Sequence, residues 1–460
     1  MSSEPPDHFD QADGRMLDVL RNRSFLILWL VQALSQTGQN MINFALLILV
    51  RGVVDEHDIA QSNTAVGLAV LAFSAPAIIF SPIAGVIVER ASKRRVLIIT
   101  NVLRGVVALG FFLIQPGWTP MLGLSMLYLL AFAGGGVGQF FGPALGAAIP
   151  GLVSRREFVQ ANALINLTIT GSQIIGFAAL SPFLIRVWGV DNVILFITAA
   201  FVVCAVLSTR IPIGKPEPRS QLTAHGTRVS RFFDELREGA RIILERPILV
   251  KAILYLSLAM ATYLMIATLG PEYVTGVLQV PVEDIAFILL PAGAGVILGV
   301  LSVGQVTKRV GIERTIDWAI GVAGVALILI ASVGVISDFI WEDPTAERTG
   351  ALYIASVLAA ILGLSNAFIL APSQSLLQSR APESARARVW AAFFTVANGV
   401  AFIPIIFAGA LADLFGVVTV LFVMGIILLV VSLIQIYTAS EESAPAAADA
   451  NRGTERMDSA

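Results

Sequence analysis

Apolar runs of about 20 to 30 residues recur along the chain between short polar stretches, and each is long enough to cross a hydrocarbon core about 30 Å thick as a helix. Twelve such spans are predicted. The first six are Phe25–Val50, Thr64–Val88, Val96–Gln115, Trp118–Ile149, Phe158–Val187 and Asn192–Ile211. The second six are Pro247–Val274, Ile285–Val306, Glu313–Ile336, Gly350–Gln374, Val389–Phe415 and Val417–Tyr437. Residues 1–24 and 438–460 are read as tails flanking two units, 25–211 and 247–437, with 212–246 as a linker. That linker opens with Pro212, Lys215, Pro216, Pro218 and Arg219, as connecting segments do. Its later part sets Phe232, Phe233, Leu236, Ala240 and Ile243 at helical spacing among charges. That pattern fits an amphipathic helix on the membrane surface, or a helical lead-in to span seven.

The distribution of basic residues orients these spans. With the amino terminus on the cytoplasmic side, 26 of the 30 lysines and arginines fall in cytoplasmic segments, as the positive-inside bias requires. The opposite face receives Arg51, Arg186 and Arg348, and Arg104 alone lies inside a span. Both tails are therefore read as cytoplasmic. Only 13% of the 460 residues are charged and 56% are hydrophobic, against roughly 25% charged in soluble domains, which leaves no room for a soluble catalytic domain. A net charge of -2 offers no basic field for nucleic acid. The single cysteine, Cys204, excludes intramolecular disulfides and cysteine-based zinc motifs, and residues 1–20 carry no basic and apolar regions of a signal peptide.

The chain carries an internal echo. Between spans two and three it reads Gly85, Glu89, Arg90, Ser92, Lys93, Arg94, Arg95; between spans eight and nine, Gly304, Lys308, Arg309, Gly311 and Arg314 recur at a constant offset. A looser echo pairs Gly142-Pro143-Ala144 and Ile149-Pro150 with Ala371-Pro372 and Ala381-Pro382. Twelve spans in two like halves, with a Gly-x-x-x-Asp-Arg-x-Gly-Arg-Arg type loop after the second, resemble the major facilitator superfamily over nearly the whole chain. Leu20-Arg21-Asn22, Phe25, the stretch Trp29 to Gly38, and Pro143 to Pro150 followed by Leu152, Val153 and Ala161-Asn162-Ala163 look like its bacterial exporter branch. That branch includes macrolide-efflux and siderophore-export proteins. The resemblance implies an all-α polytopic membrane protein, with twelve transmembrane helices in two pseudo-symmetric six-helix bundles and a substrate cavity between them.

Some positions depart from the pattern. Glu89 replaces the usual Asp, Ser92 replaces a Gly, and Lys308 reverses the sign of the acid in the second half. The superfamily's antiporter motif sets a Gly-Pro pair near Gly176, but Phe177 follows it and Pro182 is displaced. Exporters of the branch often show Gly-Asp in span one and an Asp three residues before the Arg of span three; Gln39 and Asn101 stand there.

Candidate chemistry centres on amides. Gln32, Ser35, Gln36, Gln39, Asn40 and Asn43 make one face of span one polar. Such a face either lines a cavity or forms a hydrogen-bonded seam between helices. Span five repeats the theme with Asn162, Asn166, Thr170 and Gln173, and Asn366 and Asn398 offer partners from the second half. Arg104 lies about 12 Å deep at 1.5 Å per residue. It either ties helices together through groups such as Asn101 or faces an anionic substrate or coupling anion. The substrate cavity is thus assigned to Gln32, Gln36, Gln39, Asn43, Arg104, Asn166, Gln173, Asn366 and Asn398. No carboxylate falls near the middle of a span: Glu272, Asp338 and Asp413 sit at outer ends and Asp317 at an inner end. The glycines of span four, Gly134 to Gly146, lack the Gly-Lys-Ser ending of a phosphate loop and read as packing positions.

A cytoplasmic gate is expected from Gly85, Glu89, Arg90, Arg94, Glu157, Lys308, Arg309, Arg386 and Arg388. By the family resemblance Glu89 meets the start of span eleven at Arg386 and Arg388. By pseudo-symmetry Lys308 or Arg309 meets the start of span five, where Ser154 and Glu157 form a Ser-x-x-Glu capping box; the other reading is that these charges only enforce topology. The expected function is secondary active export of a small amphipathic organic molecule by alternating access, in the plasma membrane. The bilayer, the substrate and a coupling proton or other ion are its partners, with no cofactor or metal and a monomer as the working unit. The alternatives are uptake or flipping of a lipid-like solute and a transport-inactive sensor or scaffold. An enzyme would need clustered catalytic groups in a pocket, and the sequence offers none.

Overall fold

A computed structural model describes residues 16–59, 61–114, 117–154, 157–212, 237–238, 241–280, 285–340, 344–380 and 407–457. Eleven of its helices are long and apolar enough to cross a membrane. The remaining expected span, Val389–Phe415, lies mostly outside the described residues, with 407–415 helical. Large apolar side chains such as Ile99, Val106, Val202, Leu301 and Ile427 are exposed on the helix exteriors. So broad an apolar exterior is stable in acyl chains and not in water.

Span one, Arg23–Glu56, starts where Asn22 caps it: the Asn22 carboxamide oxygen accepts from the backbone N–H groups of Ser24 and Phe25, two donors the helix start leaves unpaired. The same amide donates to the carbonyl of Leu152 at 2.7 Å, tying the start of span one to the end of span four. Just before it, Met16–Arg21 form a 3-10 turn with Val19 buried against Phe25 and Leu28. The segment read as a tail, residues 1–24, thus holds regular structure from Met16 onward.

Proline reshapes several spans. Span two is two helices, Ser62–Ser74 and Pro76–Arg90, because Pro76 has no N–H to continue the ladder. Span five runs from Phe158–Gln173 through a wide π turn, Ile174–Leu180, into Ser181–Trp188 with Pro182 near its start. A Cβ on Gly176 in that turn would sit 2.7 Å from the carbonyl oxygen of Thr37 in span one, so only glycine permits the approach. Span seven, Pro247–Glu272, passes Pro271 and widens at Tyr273–Val277. Span nine ends at Ala331, earlier than expected, and a separate helix, Val333–Ile340, follows. Spans ten, Pro344–Arg380, and twelve, Val417–Met457, run longer than their apolar runs.

The first six spans pack around Phe44, Leu47, Leu127 and Ile197 on one side and Phe25, Leu97 and Phe141 on the other. The last six pack around Tyr255, Leu269, Ile316 and Ile320. In the second half Gly295 of span eight and Gly363 of span ten each face the other helix's backbone, at Ala360 and Ala292, without room for a methyl group. Small residues let these two helices touch directly, the usual route to close association where lipid removes the hydrophobic drive between helices.

Candidate functional site

The polar stripe of span one meets span three inside the first half. Ser35 and Asn101 are fully buried and Arg104 is 4% exposed. One guanidinium nitrogen of Arg104 donates to the Ser35 hydroxyl at 2.7 Å, Ser35 donates to the Asn101 carboxamide oxygen at 2.7 Å, and Asn101 donates to the Leu97 carbonyl at 2.8 Å. The guanidinium lies 4.7 Å from the ring centre of Phe141 and 5.9 Å from that of Phe201, so two aromatic faces share in holding the charge. Its Nε has no hydrogen-bond partner, and among the described residues no carboxylate pairs with it. Gln39 donates to Asn43 at 3.1 Å, and both line a cavity of about 20 Å³ with Arg104, room for one water molecule. Gln32 is buried and Gln36 half-buried.

Span five presents a different face. Asn166, Thr170 and Gln173 are exposed at helical spacing, and Gln173 donates to the hydroxyl of Tyr263 in span seven at 2.5 Å. This bond joins the two halves near the middle of both spans. Asn366 in span ten stays within its own half, reaching the Ala259 carbonyl at 3.4 Å; Asn398 lies outside the described residues.

The second half repeats the seam of the first with different chemistry. Tyr255 of span seven donates to the carboxylate of Asp317 in span nine at 2.5 Å, where the first half joins span one to span three through Ser35 and Asn101. Asp317, expected at an inner helix end, is 1% exposed, and Ser432 of span twelve donates to its carbonyl oxygen. Lys251 lies 5.7 Å from the Tyr255 ring and 3.5 Å from the Glu313 carboxylate.

At the face opposite the amino terminus, charges clasp the halves together. Arg51 of span one pairs with Glu272 of span seven and with Asp55 at 3.0 Å, and reaches the Thr275 hydroxyl at 3.4 Å. Ser62 also donates to Glu272, at 3.4 Å. Beside this cluster Asp413, in the last part of span eleven, accepts the backbone N–H groups of Asn63 and Thr64, both at 2.9 Å, together with the Asn63 amide and the Thr64 hydroxyl. Among the described residues, every hydrogen bond between the halves lies at mid-span or toward this distal face.

Residues 28–404 match the family model of the Major Facilitator Superfamily. The chain belongs to that superfamily. Relatives of this facilitator include the putative bacilysin exporter BacE of Bacillus subtilis, 30% identical over 212 residues, which are 46% of this chain and 49% of BacE. The MFS-type transporter YkuC of the same organism is 24% identical over 52% of this chain and 53% of its own length, so the match spans about half the length of these two relatives. Macrolide efflux protein A of Streptococcus pyogenes is 22% identical over 85% of this chain and 90% of its own. The fold is shared with the nucleoside transporter NupG, at 13% identity and TM-score 0.65 over 89% of this chain and 98% of NupG. It is shared equally with a bacterial homologue of the lysosomal transporter Spinster, at 13% identity and TM-score 0.64 over 92% and 97%.

In this facilitator the loop residues of the expected gate are only partly described. Gly85, Glu89 and Arg90 fall in the helix Pro76–Arg90, and Arg94 is exposed in the first turn of the helix Lys93–Gly110; the side chains of Glu89 and Arg90, and all of Arg386 and Arg388, lie outside the described residues. Lys308 and Arg309 are exposed at the end of span eight, and among the described residues no ion pair joins them to Glu157. Glu157 turns back on Ser154, accepting from its hydroxyl at 2.8 Å and its N–H at 3.1 Å, which holds the carboxyl below the usual glutamate range. The Glu157 N–H donates to the backbone carbonyl of Ser154 at 3.1 Å and not to its hydroxyl, so one arm of the expected capping box is made and the other is not.

The distal clasp was absent from the sequence-based site, although a signal existed. Arg51 is one of only three basic residues assigned to that face, and Glu272 and Asp413 are acids at the same depth in the other half. Opposite charges at one depth in different halves are candidates for a contact between them.

Proposed function

We propose that this facilitator is a secondary active exporter of a small amphipathic organic compound, working by alternating access in the plasma membrane with both termini cytoplasmic. The observation that carries the reading is the placement of contacts between the halves. Among the described residues the hydrogen bonds and the ion pair between the halves lie at mid-span, where an exposed polar stripe on span five meets span seven, or toward the distal face. They stand beside apolar packing of Leu264, Val274 and Ile285 against the first half. Polar contacts of this kind can be exchanged for contacts with water when the distal face opens, as a gate requires. Export is favoured by two relatives whose names describe exporters, of bacilysin and of macrolides.

The units 25–211 and 247–437 are the bodies we expect to move. Substrate contact is assigned to the half-buried and exposed amides Gln36, Asn166 and Gln173, with Asn366 from the other half. Arg104, enclosed by spans one, three, four and six, is assigned to holding that half together. The deciding experiment reconstitutes the protein in liposomes and measures flux of compounds that emerge from a binding screen of varied amphiphiles. Flux that follows an imposed pH gradient in the export direction is expected. Binding without flux would leave a sensor, and flux only in the import direction would replace export by uptake.

A further inference from the structure

A lateral groove opens in the second half. Between spans eight, nine and ten lies a cavity of about 360 Å³ lined by Val306, Val310, Trp318, Val322, Leu364 and Phe368, with the small polar groups of Thr315 and Ser365 in its wall. This volume falls within the roughly 300–1,000 Å³ of small-molecule sites. Trp318 is 62% exposed and Val310 and Val322 are more than 40% exposed, so the groove opens sideways toward the surrounding hydrocarbon rather than toward the other half.

Two cations sit at its amino-terminal-side mouth. Arg309 falls three residues after Val306 and one before Val310, and Arg314 lies one turn before Trp318 and two before Val322 on a single stripe of span nine. Both are exposed, and among the described residues neither enters an ion pair. Trp318 lies six residues past the start of the helix Ile312–Ala331, about 9 Å along it at 1.5 Å per residue, below the two arginines and beside the acyl-chain region. Basic residues bordering an apolar cleft between helices on this side of a membrane are arranged for an anionic headgroup above an acyl chain.

We propose that the groove between spans eight, nine and ten binds an anionic phospholipid of the surrounding leaflet, with an acyl chain along Trp318 and Phe368 and the phosphate between Arg309 and Arg314. The site is independent of the transported compound, so it stands or falls separately from the export reading.

The test uses the full chain in nanodiscs of phosphatidylcholine doped with either brominated phosphatidylglycerol or brominated phosphatidylcholine. The signal is the fluorescence quenching that disappears in Trp318→Phe. Brominated phosphatidylglycerol should quench Trp318 at lower mole fraction than brominated phosphatidylcholine. The preference should fall about fivefold for Arg309→Gln or Arg314→Gln, and on the order of twenty-five-fold for both, given about 1 kcal/mol per basic residue near the surface. Val322→Trp, which fills the groove and leaves the arginines in place, should reduce quenching by either lipid. Equal quenching by the two lipids, or a preference that survives loss of both arginines, would overturn the proposal. So would displacement of phosphatidylglycerol by a water-borne amphiphile, for which brominated octanoate is the probe, at concentrations below those of competing phospholipid.

Discussion

Asp413 of span eleven accepts both the backbone N–H and the hydroxyl of Thr64 in span two, at 2.9 and 2.5 Å, so one half of the molecule caps a helix of the other. The residue that would ordinarily cap that helix, Gln61, makes no side-chain bond to it. Gly409, one turn before Asp413, makes the reach feasible: a Cβ there would sit 2.6 Å from the Asn63 carbonyl oxygen. The carboxylate also meets the positive end of the span-two helix. Ordering this helix start and closing the distal face are therefore one event.

Asp413→Asn keeps one acceptor and removes the charge. Bonds to charged groups contribute about 1.5–3 kcal/mol, so loosening them should shift the population toward a distally open state by about tenfold or more. A cysteine placed at Thr170, on the exposed face of span five, reports this through an impermeant maleimide added from the distal side; Cys204 is buried and should react slowly. Unchanged labelling in Asp413→Asn would remove the clasp from the gating scheme.

The Arg51–Glu272 pair calls for a double-mutant cycle. Its side chains are 15% and 26% exposed, placing the pair at the upper end of surface ion pairs, about 1 kcal/mol. Arg51→Gln and Glu272→Gln should each lower thermal stability in detergent, and the double variant should lose less than their sum. The coupling should weaken at 1 M salt, where the screening length is about 3 Å.

Ser35→Ala removes the group between Arg104 and Asn101. With the guanidinium and the carboxamide oxygen both left short of a buried partner, the cost should be about 1–3 kcal/mol in denaturant unfolding. Because the three residues form one chain of bonds, Arg104→Gln added to Ser35→Ala should cost clearly less than the two changes measured separately. Strict additivity would show that the seam does not act as a unit.

Tyr255→Phe leaves Asp317 without its hydroxyl donor while preserving the ring. Since a buried carboxylate depends on its donors, destabilisation of about 1–3 kcal/mol is expected. Replacing the carboxylate as well, Tyr255→Phe with Asp317→Asn, should recover part of the loss. A double variant less stable than Tyr255→Phe alone would show that the Asp317 carboxylate is supported without Tyr255.

The sequence by itself determined the helices, their number and the duplication. A span of about 20 apolar residues can satisfy its backbone groups in lipid only as a helix, and that constraint is local. It could also mark Ser35, Asn101 and Arg104 as costly in hydrocarbon. Whether they faced a substrate or one another was decided by the rotation of spans one and three about their axes, which depends on neighbours far away in the chain. Asp317 shows the same limit: near a helix end in sequence, it is buried because spans seven and twelve pack over it. The sequence places the charges of the distal clasp at one depth, and the tertiary structure decides which of them pair. Arg51 and Glu272 are 221 residues apart, and Thr64 and Asp413 are 349 apart, and only the docking of one half against the other brings each acid to its partner.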